Sequence, residues 1–271
     1  MLGFIRKIIV GPPVALLIFI NMFFWTTLII FLATAKAIHK SDFLERILDR
    51  IYQLAVTINT EIFKKILNVY IIVQGDTRLD YSKNYLVISN HVSWSDTFIT
   101  QGIMNTVIPP FRFLSKKEVK FIPFVGFISW AYNFPLLSRN KLEKDKKKII
   151  ENAKNLGSRP VSFFIYPEGT RFTKIKREKQ ESPFKYLLKP KIGAITTLLK
   201  TNIEYENIVD ITLLYPKTKV SFWNLLSGNI SHIYVYVRKL TIKKETPPHQ
   251  IKSWIYQKWK EKDNLIKSFR D

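Results

Sequence analysis

The chain has 271 residues, 46% hydrophobic and 14% aromatic, enough apolar side chain to bury a full core, which excludes a disordered tail protein and predicts one large domain with appendages. Lys and Arg number 43 against 21 Asp and Glu, and the formal net charge of +22 favours polyanions as partners: nucleic acid, anionic lipid surfaces or phosphorylated substrates. The absence of Cys removes disulfides, thiolate zinc sites and a cysteine nucleophile, and the nine Gly fit neither a G-x-G-x-x-G turn nor a P-loop.

From Ile8 to Ala35 no residue is charged, and Val14 to Ala35 gives 22 mostly apolar residues. As a helix this is roughly 33 Å long, enough to cross a bilayer core. A retained membrane anchor is predicted over a cleaved signal peptide, whose core runs about 7 to 15 residues, although Arg6 and Lys7 precede the segment and Ala33-Thr34-Ala35 imitates a cleavage site. Pro12-Pro13 and Asn21 leave a broken, re-entrant helix open as the alternative. Lys36, Lys40, Arg46 and Arg50 outnumber Arg6 and Lys7, which predicts a main body on the cytoplasmic face of a membrane, the inner membrane in a bacterium.

After Ser41-Asp42, Leu44, Ile47, Leu48, Ile51, Leu54, Ala55, Ile58 and Ile62 recur three and four apart, as one face of a helix requires. That helix either packs on the main domain or lies in the membrane interface. From Tyr70 the pattern changes to short β-branched and aromatic runs: "YIIVQG", "YLVISN", "VSFFIYP", "IVDITLLYP" and "HIYVYVRKL". Helices are predicted between them near Ser95–Met104 and Leu142–Leu156. The fold class is therefore α/β: a mixed, largely parallel sheet flanked by helices, with an N-terminal hydrophobic membrane helix or helical hairpin. The lysine-rich stretches around 144–148 and 174–191 read as solvated helix surface and exposed loop. From His249 to Phe269 apolar residues at helical spacing predict a terminal amphipathic helix, docked on the domain or on the membrane. The divisions are 1–68 for the anchor and amphipathic region, 69–245 for the α/β domain and 246–271 for the C-terminal helix.

Two motifs carry chemistry. "NHVSWSD" follows a strand and brings His91, Ser93, Ser95 and Asp96 together. Within one regular helix, residues five apart point roughly 140° away from each other. If the chain turns at Asn90-His91 and the helix begins after Ser93, the imidazole and the carboxylate can meet. Ser93-x-x-Asp96 also has the form of a capping box, so a purely structural role competes. The second motif, "YPEGTR", ends another strand with Glu168, Gly169, Thr170 and Arg171, and Arg171 offers the planar fork suited to phosphate. A surface salt bridge between Glu168 and Arg171 is the plain alternative. Sites in open α/β sheets lie at the carboxyl ends of strands, so parallel strands would deliver both motifs to one rim.

Together the two resemble the N-H-x-x-x-x-D and F/Y-P-E-G-T-R blocks of the 1-acyl-glycerol-3-phosphate acyltransferase family of glycerolipid acyltransferases. "SKKEVKFIPFVGFI", with Lys116, Pro123 and Gly126, and "PLLSR", ending in Arg139, are similar to the family's intervening blocks. The likeness covers roughly residues 70–215. "IVDITLLYP" replaces the common Val-Pro-Ile triplet and, with "WKEKDNLIKSF", resembles the lysocardiolipin acyltransferase-like branch. The resemblance implies transfer of a fatty acyl group from acyl-CoA or acyl-carrier protein, as co-substrate, to the free hydroxyl of a lysophospholipid. It implies His91 as general base, Asp96 as its orienting partner, and Arg139, Glu168, Gly169, Thr170 and Arg171 on the acceptor's glycerol phosphate. Backbone N–H groups and Lys116 are candidate oxyanion donors. No cofactor and no metal are expected, and the partners expected are anionic membrane lipids, not nucleic acid. A membrane-tethered nucleic-acid-binding protein, suggested by "WIYQKWK" and "YVYVRKL", has no recognised module behind it. A catalytically idle scaffold sits poorly with intact His91 and Asp96.

Overall fold

The computed structural model describes residues 2–39, 41–138, 141–154, 159–216 and 220–270. Lys40, Arg139 and Leu156, which figure in the expectations above, lie outside the described residues. The chain enters through α1 (Leu2–Ile9) and α2 (Gly11–Ile38). Pro12 and Pro13 stand in the first turn of α2, whose amides lack intrahelical acceptors in any case, so the pair starts the helix and does not break it. The helix then runs 28 residues without interruption and is long and apolar enough to cross a membrane.

α3 (Asp42–Glu61) folds back along α2. Lys36 pairs with Glu45 at 2.6 Å near the connection, and farther along Asn21 Nδ2 donates to Asn59 Oδ1 (2.8 Å) and to the Ala55 carbonyl (3.1 Å). The two helices thus form an antiparallel hairpin, and the buried Asn21 is satisfied within it. The buried face of α3 is rotated from the predicted one. Leu48, Ile51, Tyr52 and Val56 are buried, while Leu54 and Ile58 are exposed, because α2 and the helix after β2 grip it from two sides.

The body continues with β1 (Tyr70–Gly75), β2 (Asn84–Ser89), α4 (Ser95–Met104), β3 (Phe111–Phe113) and β4 (Ser115–Lys116). A 3₁₀ turn over 117–121 leads into α5 (Val125–Ala131), β5 (Leu136–Leu137), α6 (Leu142–Lys154) and β6 (Ser162–Ile165). α7 (Lys174–Lys179), α8 (Gly193–Leu199), β7 (Tyr205–Leu214), α9 (Phe222–Leu226), β8 (His232–Leu240) and α10 (Pro248–Arg270) complete it. Six strands form one mixed sheet in the order β1-β8-β7-β2-β6-β3. β7, β2, β6 and β3 are mutually parallel, β8 runs antiparallel to β7, and β1 pairs parallel with β8. The strands predicted from sequence all form; β3, β4 and β5, at two or three residues, are too short to show a period.

Both faces of the sheet are covered, as parallel strands require. Tyr85, Val87 and Phe164 point toward the α2–α3 hairpin, and Leu86, Ile88, Phe163 and Ile165 toward α6, α8 and α10. α10 settles on the body: Ile251, Ile255, Trp259 and Ile266 are buried there. Its Lys262, 0% exposed, sets Nζ 2.5 Å from Asp210 Oδ1 on β7 and donates to the Ile211 carbonyl at 2.7 Å. Arg238 of β8 holds the other Asp210 oxygen at 2.6 Å and Glu261 at 2.8 Å.

The stretch 174–191 is not the exposed loop its charge predicts. Phe184, Leu187 and Leu188 are buried, because Asp263 accepts from the main-chain N–H groups of Lys185 and Tyr186 and draws the segment onto α10.

Candidate active site

β2 pairs parallel with β6 from Tyr85↔Ser162 to Ile88↔Ile165, so "NHVSWSD" and "YPEGTR" leave the sheet at the same rim. β7 lies on the other side of β2 and also ends there. Asn90 bridges the two: its amide donates to the Leu213 carbonyl (3.0 Å), and its oxygen accepts from Leu213 N–H (2.8 Å). The side chain stands in for a strand residue, which frees the backbone to turn. His91 is then clamped by its main chain, N–H to Glu168 Oε1 at 2.9 Å and C=O from Phe172 N–H at 2.7 Å.

α4 starts after this turn, with Asp96 in its first turn and 0% exposed. Asp96 Oδ2 lies 2.8 Å from His91 Nδ1 and also accepts from the Val92 and Ser93 N–H groups at 2.6 and 2.8 Å. The carboxylate therefore does two jobs, satisfying amides at the helix start and holding the imidazole. In the neutral tautomer that donates Nδ1–H to Asp96, Nε2 carries the free lone pair. The His91 side chain keeps 16% exposure, and Tyr166 stacks on its ring at 3.9 Å between centroids, 14° from parallel. Ser93 and Ser95 are buried and bond to each other at 3.1 Å.

His91 lines a cavity of about 490 Å³. Lys116, Gly169, Thr170 and Arg171 line it as well, and its deeper walls are built from Trp25 and Ile29 of α2, Val56 of α3 and Phe98 of α4. Arg171 rests over the Trp94 ring at 5.4 Å. Lys176 donates to Thr170 Oγ1 (2.9 Å) and to the Arg171 carbonyl (3.0 Å). Partial burial, then the neighbouring Arg171 and Lys116 charges, push the Lys176 pKa down against the pull of Glu168, so three basic side chains gather beside the cavity. Such a mouth suits a phosphate. Gly169 has φ +70°, the left-handed turn that swings Thr170 and Arg171 toward the cavity. Gly126 lets α5 close on the 3₁₀ turn, since a Cβ there would lie 2.1 Å from the Lys120 carbonyl.

Glu168 departs from its expected place on the acceptor. It is 0% exposed and does not line the cavity, and its oxygens accept from His91 and Leu188 N–H, the latter at 2.8 Å, not from Arg171. Burial pushes its pKa up to about 8, against the pull of those two amides and of Lys262 behind it. It braces one motif against the other. The plain alternative, a surface salt bridge with Arg171, does not form either. Arg139 lies outside the described residues. Sequence reasoning did not single out Trp94, Tyr166, Lys176, Tyr215 or Lys262, although Trp94, Tyr166, Tyr215 and Lys262 lie within the stretches it quoted. Among the described residues no group of three or more His, Asp or Glu could hold a metal ion.

Residues 70–215 match the family model described as Acyltransferase, and residues 224–271 the one described as Acyltransferase C-terminus. The first covers more than half of the chain, and the chain belongs to the acyltransferase family. Its relatives include 1-acyl-sn-glycerol-3-phosphate acyltransferase delta of Bos taurus, 26% identical over 197 residues, with 67% of this chain and 52% of the relative covered. The gamma enzyme of Mus musculus is 27% identical over 173 residues, with 59% and 46% covered. The chain thus spans about half the length of these two relatives. The Mus musculus epsilon enzyme is 22% identical over 254 residues, with 84% and 69% covered. Among solved structures, the crystal structure of the 1-acyl-sn-glycerophosphate (LPA) acyltransferase PlsC from Thermotoga maritima shares the fold, with a TM-score of 0.57, 17% identity, and 97% of this chain and 98% of that chain covered.

Proposed function

We propose that this protein transfers a fatty acyl group from a thioester, acyl-CoA or acyl-carrier protein, to the free hydroxyl of lysophosphatidic acid or another anionic lysoglycerophospholipid. The observation that carries the reading is the His91–Asp96 pair at 2.8 Å, opening on the same cavity as Lys116 and Arg171. An alcohol is a poor nucleophile. His91 Nε2 takes its proton as the hydroxyl oxygen attacks the thioester carbon, and Asp96 holds the tautomer and stabilises the imidazolium. The proton then leaves with the thiolate, so no acyl-enzyme is needed. Lys116 and main-chain N–H groups are the candidate donors to the tetrahedral oxyanion.

Arg171, with Thr170 beside it, holds the acceptor phosphate, and the apolar walls from α2, α3 and α4 take an acyl chain. The bare outer face of α2, with Phe19, Phe23, Phe24 and Phe31 exposed, supports a membrane location in which a lipid reaches the cavity without crossing water. The names of the relatives favour lysophosphatidic acid as acceptor. The test is to incubate purified full-length protein with labelled acyl-CoA and a panel of lysolipids and to identify the product by mass. A diacyl phospholipid formed from one acceptor is expected; no acyl transfer from acyl-CoA or acyl-carrier protein to any lysolipid sinks the reading.

A further inference from the structure

Asp96 has two oxygens with unlike surroundings. Oδ2 receives three donors, from His91, Val92 and Ser93, all from its own turn. Oδ1 receives the Tyr215 hydroxyl at 2.7 Å, a contact 119 residues away in sequence. Tyr215 is 1% exposed and Asp96 0% exposed, so solvent has no ready access to replace that donor. Tyr215 follows directly on β7, two residues after the Leu213 main chain that holds Asn90. One strand end thus grips the first and the last residue of "NHVSWSD". Further back, β7 is itself tied down where Lys262 and Arg238 take the Asp210 carboxylate.

We propose that Tyr215 is a positioning residue for His91: its hydroxyl fixes the setting of the Asp96 carboxylate and sets how strongly that carboxylate holds the imidazole. The inference rests on the reading of His91 as the base. A carboxylate turns easily about its last bond, and three donors crowded on one oxygen leave the second to decide the orientation. A donor on Oδ1 also draws negative charge away from the oxygen that faces the ring. Burial, and next the Asp96 charge, push the Tyr215 phenol well above its usual pKa, so it stays a donor throughout the working range.

The groups that face His91 are few. Asp96 reaches it through Nδ1, Glu168 through its main-chain N–H, and Tyr166 stacks on its face. Lys116 and Arg171 share its cavity. Tyr215 faces Asp96, and the Asp96 charge reaches Tyr166 as well. Tyr215 is the group that acts on the ring through the carboxylate.

The test is the pH profile of kcat in full-length protein. Tyr215→Phe leaves more charge on Asp96 for the imidazolium, and the acid limb is expected to move up by about half a unit. kcat on the plateau falls about tenfold, with KM for the acceptor unchanged. Replacing Tyr215 by 3-fluorotyrosine, a stronger donor of nearly the same size, keeps the fold and moves the limb the other way. Tyr205→Phe, the same change at the opposite end of β7, serves as the control with the wild-type limb.

Opposite shifts in the two Tyr215 variants support the proposal. An unmoved limb, or shifts in one direction, overturns it, even if kcat falls. Histidine-selective 15N NMR reads the same coupling without activity, since the His91 titration moves in step with the limb. A wild-type protein that transfers no acyl group would sink the reading of the base, whereas a His91 titration indifferent to Tyr215 would sink the coupling alone.

Discussion

Two aspartates, Asp96 at the start of α4 and Asp210 on β7, are each 0% exposed, yet their surroundings differ in kind. Asp210 is held by two basic side chains, Lys262 and Arg238, and sealed beneath α10. Asp96 is held by main-chain amides, a phenol and an imidazole, and the imidazole opens on a cavity. The first carboxylate fastens α10 and β8 to β7; the second holds a ring that opens on a cavity. Burial alone does not distinguish them, and the partner does.

The comparison breaks most visibly at Lys262. Lys262→Ala leaves Asp210 short of one counterion in the interior and is expected to cost about 3 to 5 kcal/mol in denaturant unfolding. Glu168 comes next, since it lies between the two regions, accepting from His91 and feeling Lys262. Its pKa is raised from 4.5 to about 8, so the folded protein keeps a proton that the unfolded chain has given up. The stability this supplies is complete below pH 4.5 and is lost as the pH rises to about 8. Melting curves across that range should slope downward, and Glu168→Gln should flatten them.

On the chemical side, His91→Ala is expected to lower kcat at least about a hundredfold while the melting temperature stays nearly constant, because Asp96 retains its amide partners. Arg171→Ala should act mainly on KM for the acceptor, raising it about tenfold with kcat little changed. Equal losses of thermal stability in these two variants would turn both motifs into structural devices and erase the contrast with Asp210.

Much of this was legible in the chain. The β-branched and aromatic runs "YLVISN" and "VSFFIYP" read as strands, and each ran directly into its polar motif. The bend that brings His91 to Asp96 followed from the angular step of a helix. What escaped was long-range. Nothing near Glu168 tells that Leu188 will come back to occupy its second oxygen, so a carboxylate next to an arginine was placed on the acceptor. Lys262 sits in a run of charges, and its burial follows from the placement of Asp210, 52 residues earlier. The rotated face of α3 has the same origin: periodicity reports which residues are apolar, and two neighbours decide which of them are covered.

The Asn21–Asn59 contact has a mechanical consequence for the cavity. A helix that is apolar all round can spin about its axis at little cost, but each residue step turns it by about 100°. One such step would swing the Asn21 amide off its two acceptors and leave it unpaired, a loss of about 1 to 3 kcal/mol. The amide pair therefore indexes α2 against α3, and Trp25 and Ile29, one and two turns further on, are delivered to the cavity wall by that setting.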